Sequence, residues 1–440
     1  MKYYSTNNQA PIADLHKAVV KGLAEDRGLY MPEKINKLPK EFFDNIEKMS
    51  FQEIAYTVAS AFFGEDVDPD ALHDIVYDTL QFDCPVVNVK DNIYTLELFH
   101  GPTLAFKDVG ARFMARLLQY FIKQENNHKE VNVLVATSGD TGSAVANGFL
   151  GVDGIHVYVL YPKGKVSPIQ ECQFTTLGKN ITAIEVDGVF DDCQALVKNA
   201  FMDAELNEHM KLTSANSINV ARFLPQAFYY FNAYARMKEI ANTQHLSPNT
   251  QLVMCVPSGN FGNICAALFG HEMGLPIKRF IAANNANDIF YNYLQTGKYE
   301  PKPSKQTLAN AMDVGDPSNF ARIYDLYGKS HAKITSLISG ATYSDEQIKA
   351  TMRECYKDSG YILDPHGACG YQALKDGLQA GEVGVFCETA HPAKFKEKVD
   401  DILGIDVEIP ERLAAFMRGQ KQSVPMSKDF ANFKDYLMRQ

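Results

Sequence analysis

The sequence predicts an α/β protein with two open, mainly parallel sheets flanked by helices, preceded by a mainly helical N-terminal region. Three observations carry this. Short runs rich in valine and isoleucine recur from residue 92 onward, separated by stretches long enough for crossover helices, which is the arrangement of a parallel sheet. Several runs are apolar at nearly every position, as strands buried on both faces are. Two of them run into the same glycine pattern, S-G-[DN]-x-G, at Ser138–Gly142 and Ser258–Gly262.

The elements follow in order. Residues 1–90 alternate amphipathic stretches (LHKAVVKGLA, FFDNIEKMSFQEIAYTVASAFFG, ALHDIVYDTL) with Asp and Pro punctuation, which reads as helix. The expected strands are NIYTLELF, VNVLVAT, IHVYVLYP, ITAIEVDG, QLVMCVP, KRFIAAN, YILDP and VGVFCET, and IDVEI near residue 405 is expected as an edge strand. The last 30 residues read as a pair of helices. With a prior of about 150 residues per domain, 440 residues suggest about three domains, expected at 1–90, 91–230 and 231–440.

Composition narrows the function. Hydrophobic residues make up 46% and charged residues 22%, as in ordinary folded proteins. Against 43 Lys and Arg stand 53 Asp and Glu, and the net charge of −10 opposes a nucleic-acid backbone, so no nucleic-acid partner is expected. An anionic ligand must then be held by local devices: helix N-termini, hydroxyl-rich loops and a few placed cations. Eight cysteines without a C-x-x-C pair read as reduced core residues. With no leader pattern and no run of about 18 apolar residues, a cytoplasmic protein without a membrane partner is expected.

In a parallel sheet, ligands lie beyond the carboxyl ends of the strands. There the two glycine loops, each between a buried strand and a helix start, present backbone N–H groups and the positive end of a helix dipole. The pattern fits a phosphate or carboxylate site, while glycines that serve only tight turns are the alternative. Other signatures fail by spacing. Gly328-Lys329-Ser330 has Ile323 where a P-loop needs glycine, neither loop contains G-x-G-x-x-G, and His271-Glu272 lacks the second histidine of H-E-x-x-H.

A third strand end, after NIYTLELF, spells His100-Gly101-Pro102-Thr103-Leu104-Ala105-Phe106-Lys107-Asp108. Val109, Phe113, Met114, Leu117, Leu118, Phe121 and Ile122 then recur at helical spacing, so Lys107 opens a helix. There the dipole and apolar neighbours favour a neutral, nucleophilic amine. A solvated loop lysine is the alternative reading. Beside two anion loops, such a lysine suits a pyridoxal phosphate enzyme, which needs an amine for a Schiff base and a cradle for the cofactor's phosphate.

The segments HGPTLAFKD (100–108), TSGDTG (137–142), PSGNFGN (257–263), DPHGA (364–368) and TAHPAKF (389–395) together resemble the threonine synthase family of fold-type II, tryptophan synthase β-like pyridoxal phosphate enzymes. The resemblance implies pyridoxal 5′-phosphate on Lys107 as a Schiff base, with the cofactor phosphate held by Gly259, Asn260, Phe261, Gly262 and Asn263. It places Asp140 near the cofactor's 3′-oxygen. Thr389 falls where a hydroxyl meets the pyridine nitrogen, a helix N-cap before His391-Pro392 being its other reading. Thr137, Ser138 and Thr141 are implied as substrate contacts.

The implied reaction converts O-phospho-L-homoserine and water to L-threonine and phosphate, a lyase reaction in which the freed Lys107 amine moves the protons. It is the last step of threonine biosynthesis. For the substrate phosphate the candidates are Lys163, Asn216 and Arg222, with Lys165, Ser167 and Asn219 nearby. His366 and His391 are expected to structure loops. A phospho-lyase releasing 2-oxobutyrate and a non-enzymatic phosphometabolite sensor stay open as alternatives, no metal is expected, and a monomer or homodimer is expected.

Overall fold

The computed structural model describes residues 1–127, 129–247 and 249–440. The chain packs as two compact units, and each is built from separated stretches: Met1, 31–106 and 223–408 in the first, 2–30, 107–222 and 409–440 in the second. The chain passes between them at five places, among them Phe106/Lys107 and Arg222/Phe223.

The first unit holds a six-stranded sheet. From edge to edge it runs Ile338–Thr342, Arg279–Asn284, Gln251–Pro257, Glu382–Glu388, Ile93–Glu97, Val86–Lys90. The first five strands are parallel, and only the last pair is antiparallel. Gln251–Pro257 and Glu382–Glu388 are almost wholly buried, which is why their sequences do not alternate. Helices Ala227–Thr243, Gly262–Glu272 and Pro365–Gly377 bury apolar faces in this unit, and Phe51–Phe63 joins them, its start fixed by the reciprocal Ser50/Glu53 capping box. Phe43 stacks on Phe231 and Phe62 meets Phe269, so these early helices belong to this core.

The second unit holds an all-parallel five-stranded sheet in the order Val424–Ser427, Ile181–Asp187, Ile155–Pro162, Val131–Ala136, Lys211–Ser214. A short antiparallel ribbon, Lys2–Ser5 with Ala13–Asp14, also lies in this unit. The helix Lys107–Gln124 buries the apolar face read from its sequence, from Val109 to Ile122. Leu134, Leu160, Ile184, Leu196, Phe433 and Leu437 share one core cluster, which ties the last helix, Phe430–Met438, to this sheet.

The α/β class and the two mainly parallel sheets are as expected, with a more modest helical N-terminal region. The division differs from three consecutive stretches, for a physical reason: Ile93–Glu97 gains its hydrogen bonds from Glu382–Glu388, far away in sequence, and residues 409–440 gain theirs beside Ile181–Asp187. YILDP is not a strand but the entry to the helix Pro365–Gly377, where Asp364 serves as N-cap. IDVEI is irregular, and a strand, Val424–Ser427, sits between the two terminal helices. Seven of the eight cysteines are buried, and none is in a disulfide. Among the described residues no helix is long and apolar enough to cross a membrane.

An ion pair with a buried carboxylate fastens the starts of two interior strands of the first unit's sheet, Arg279–Asn284 and Glu382–Glu388. The Glu382 side chain, fully buried, takes Nε and Nη2 of Arg279 at 2.9 and 2.6 Å, Nζ of Lys278 at 3.0 Å and the Gln379 N–H at 2.8 Å. The Arg279 guanidinium holds the Glu382 carboxyl down to about 2. Its contribution is present above the ordinary carboxylate range and fades as pH falls toward about 2. Glu382→Ala leaves the half-buried Arg279 guanidinium with only the Gly377 carbonyl and is expected to cost roughly 1–3 kcal/mol, read from the urea midpoint at neutral pH. The gap between variant and wild type is expected to narrow in acid.

Candidate active site

Site residues occur on both units. In the second, Lys107 is the first residue of its helix, half-buried, and its Nζ donates to Thr141 Oγ1 at 2.8 Å. Thr141 lies in the first turn of the helix Asp140–Phe149, directly after the strand Val131–Ala136. Within TSGDTG, Thr137 Oγ1 accepts the N–H groups of Gly139 (2.9 Å) and Gly142 (2.8 Å) and so shapes the loop from inside. Gly139 has φ +146°, and a Cβ there would meet the Gln170 amide at 2.7 Å, so the position needs glycine on both counts. That amide donates to Asp140 Oδ1 at 3.1 Å, which fixes a carboxylate only 5% exposed. Ser138 is half-buried in the same loop.

The cations expected for the substrate phosphate divide. Arg222 is 1% exposed; its Nε donates to the Ala215 carbonyl at 2.6 Å and its Nη1 to the carbonyl of Lys107 itself at 3.2 Å. The guanidinium therefore braces the backbone of the lysine. Lys163 is exposed just beyond the strand Ile155–Pro162, as is Lys165. Asn216 is half-buried with Nδ2 at 3.4 Å from the Ala136 carbonyl, at the strand end that leads into TSGDTG. Ser167 is the N-cap of the helix Pro168–Thr175, and Asn219 is buried with Nδ2 on the Val19 and Ser214 carbonyls.

In the first unit the segment before Lys107 is strapped to the segment after Glu388. Ala105 bridges Ala390, the Phe106 N–H donates to the Thr389 carbonyl at 2.8 Å, and the His391 N–H to the Leu104 carbonyl at 3.0 Å. The Tyr229 hydroxyl bonds the Phe106 carbonyl. Thr389 is 7% exposed at the carboxyl end of its strand. His391, not Thr389, caps the turn that follows, its Nδ1 accepting the Ala393 N–H at 3.0 Å, and burial pushes this imidazole down to about 4.

The loop 257–263 closes the strand Gln251–Pro257 and opens the helix Gly262–Glu272. Phe261 is left-handed, φ +65°, its ring packed on Phe290 with centroids 4.6 Å apart. The first N–H groups of that helix have no intrahelical acceptor, and Asn263 Oδ1 takes the Ile264 N–H at 2.9 Å, which leaves the Gly262 and Asn263 N–H groups at the helix mouth. A Cβ at Gly259 would lie 2.6 Å from the Ala311 carbonyl oxygen, so only glycine lets the loop lie this close to residues 310–312. In the first unit these backbone donors suit a phosphate, and in the second the helix-start lysine amine suits a Schiff base, the two groups that pyridoxal phosphate calls for.

Sequence reasoning missed the polar groups behind the loop and behind Thr389. Asn284 donates to the Ser258 carbonyl at 3.0 Å, and its buried Oδ1 has no hydrogen-bond partner among the described residues. Glu388 and Asp364 are fully buried, and Glu388 Oε1 accepts the Asp364 N–H at 2.7 Å. His366 Nε2 accepts the Ala311 N–H at 3.1 Å, so its Nδ1 carries the proton that meets Asp364 Oδ2 at 2.5 Å. His366 is thus a strut beneath residues 310–312. No signal short of the fold joins positions 311, 366 and 388.

Among known proteins, a family described as pyridoxal-phosphate dependent enzyme matches residues 82–387. This sets the class: an enzyme that uses pyridoxal phosphate. Families described as threonine synthase N terminus and threonine synthase, C-terminal match residues 2–80 and 367–437. The threonine synthase of Escherichia coli strain K12 is 43% identical over 438 residues, covering 100% of this chain and 99% of its own. Its crystal structure aligns at a TM-score of 0.91 over 100% of both chains. The pyridoxal-phosphate-bound threonine synthase from Brucella melitensis, 34% identical, also aligns at 0.91, over 100% of this chain and 99% of that one. The chain belongs to the threonine synthase family.

Burial, together with the charge of Asp364, raises the Glu388 carboxyl well above its ordinary value. An unfolded glutamate ionises near its ordinary value of 4.5, so Glu388 costs the fold progressively more as pH climbs above that value. Glu388→Gln, which keeps the shape and cannot ionise, is expected to gain stability relative to wild type as pH climbs above about 4.5, measured as urea midpoints. An unchanged gap would show that Glu388 is ionised in the fold.

Proposed function

We propose that this enzyme converts O-phospho-L-homoserine and water to L-threonine and inorganic phosphate, by β,γ-elimination followed by water addition at Cβ. The observation that carries the reading is the amine of Lys107 at a helix start, 2.8 Å from Thr141 Oγ1, in a chain that matches threonine synthases end to end. Bound pyridoxal phosphate supplies the electron sink that stabilises the carbanions this sequence requires.

The residues divide the remaining work. Lys107 tethers the cofactor and then takes and returns protons at Cα and Cβ. The Thr141 hydroxyl orients that amine, and the Arg222 guanidinium fixes its backbone, a brace supported by the 3.2 Å bond to the Lys107 carbonyl. Backbone N–H groups of Gly259, Asn260, Phe261, Gly262 and Asn263 would hold the cofactor's phosphate. Thr389 would meet the ring nitrogen; a hydroxyl there does not enforce a protonated ring as a carboxylate would. Asp140, set by Gln170, would lie near the 3′-oxygen.

Ser138 and Thr141 would receive the substrate carboxylate in the loop that Thr137 shapes. Lys163 and Asn216 would receive the substrate phosphate, with Arg222 behind them bracing backbone, because an exposed cation and a half-buried amide beyond strand ends suit a charged group that must leave. The substrate is a small dissolved metabolite, and the enzyme works in the cytoplasm as a monomer or homodimer.

Two measurements test the reading. Purified protein given O-phospho-L-homoserine is expected to release threonine and phosphate in equal amounts; 2-oxobutyrate as the main product would replace synthase by phospho-lyase. Borohydride reduction followed by peptide mapping is expected to mark Lys107, and Lys107→Ala is expected to remove turnover with the thermal midpoint nearly unchanged. A sensor would bind phosphometabolites and leave the Lys107 peptide unmodified.

A further inference from the structure

The loop 257–263 is backed by a buried cation. Arg322, in the helix Phe320–Leu326, is fully buried, and its guanidinium carbon lies 4.1 Å from the centre of the Phe223 ring. Cys265, in the first turn of the helix Gly262–Glu272, is within its electrostatic reach. Burying a guanidinium is costly, and here burial holds its pKa down to about 9. A residue kept inside at such a cost invites the question of what its charge does.

Its hydrogen bonds lead to the loop. Arg322 Nη1 donates to Asn319 Oδ1 at 2.8 Å, and Asn319, also fully buried, turns its Nδ2 and its backbone N–H onto the Asn260 carbonyl at 3.1 and 3.3 Å. The Ser318 N–H takes Asn260 Oδ1 at 2.7 Å, so both oxygens of Asn260 are held from the same side. No peptide among the described residues is cis, and in a trans peptide the C=O and N–H point in opposite directions. Fixing the Asn260 carbonyl on Asn319 therefore turns the Phe261 N–H away from Asn319.

Guanidinium, side-chain amide and peptide form a single file of aligned dipoles with the positive charge at its buried end. Each member polarises the next in a dry interior, which makes the terminal N–H a stronger donor than an isolated amide. The same bonds hold Phe261 in its left-handed conformation, which a bulky side chain does not adopt without support.

We infer that Arg322 is a positioning residue for anion binding: acting through Asn319 it orients and polarises the 260–261 peptide, and so gives the loop its preference for a phosphate-bearing cofactor over the same ring without phosphate. The inference rests on the reading that the 259–263 loop holds the cofactor's phosphate. It gives an acidic protein one positive charge at that site which never contacts the ligand.

The test uses the full-length protein, stripped of cofactor and titrated with pyridoxal phosphate and with pyridoxal, in wild type, Arg322→Met and Asn319→Ala. Both variants are expected to bind pyridoxal phosphate at least tenfold more weakly while binding pyridoxal within about twofold of wild type, a selective loss that a general loosening does not produce. Equal losses for both ligands, or no loss for pyridoxal phosphate, would overturn the inference. Should Arg322→Met not fold, Asn319→Ala decides by the same ratio, since it keeps the guanidinium and cuts its link. If the wild type itself binds pyridoxal as tightly as pyridoxal phosphate, and inorganic phosphate does not compete, it is the phosphate reading of the loop that fails.

Discussion

Two backbone hydrogen bonds across the Ala105–Ala390 bridge decide where the helix of Lys107 begins. The Phe106 N–H on the Thr389 carbonyl and the His391 N–H on the Leu104 carbonyl hold the last residues before that helix in extended geometry. The segment enters through Leu104 at φ +59°, a conformation a branched side chain takes up only when its neighbours insist. Here they do: the Leu104 N–H is tied to the Gly101 carbonyl, and Lys394 Nζ holds the Thr103 carbonyl at 2.9 Å. The lysine is thus at a helix start because the strap ends there, and the residue expected at the ring nitrogen, Thr389, is part of the same strap.

A strap of this kind needs a stiff strand end, and buried polar groups supply it. Glu388 precedes Thr389 and binds the N–H of Asp364; Asp364 caps the helix Pro365–Gly377 and accepts from His366; His366 takes the N–H of Ala311, whose carbonyl crowds Gly259. One connected set of bonds therefore reaches from Thr389 to the glycine loop. Breaking one of these bonds would add to a buried polar group already unmet, since Glu388 Oε2 has no hydrogen-bond partner among the described residues. Gly367 belongs to it by having no side chain: a Cβ there would lie 1.7 Å from Glu388 Oε2.

Much of this was legible because some residue types carry their geometry with them. Glycines at 139, 142, 259 and 262 after near-continuous apolar runs marked both loops, and the 3.6-residue spacing from Val109 to Ile122 marked Lys107 as a helix start. What stayed hidden depends on contacts between distant parts of the chain. Arg222 reads in sequence as a free cation, yet a buried guanidinium beside the Lys107 carbonyl is a brace. Arg322 and Gln170 sit in unremarkable helical stretches, and nothing local says that one faces Asn319 and the other Asp140. YILDP carried the apolar content of a strand, but Asp364 and Pro365 impose a helix start, and capping outweighs β propensity at so short a run.

The net charge of −10 gains a more definite meaning from these arrangements. A protein repelling anions over its whole surface can still bind one tightly if the favourable charges are few, close and dry, because a low dielectric and short distances outweigh a screened field. The described residues place their cations in that way. Arg222 and Arg322 are almost wholly buried, and each is tied to backbone that carries a site residue: Arg222 to the carbonyl of Lys107, Arg322 through Asn319 to the carbonyl of Asn260. Neither competes with solvent salts, as a surface lysine would. Each of the two charges thus reaches backbone that carries a candidate site residue through bonds closed to solvent.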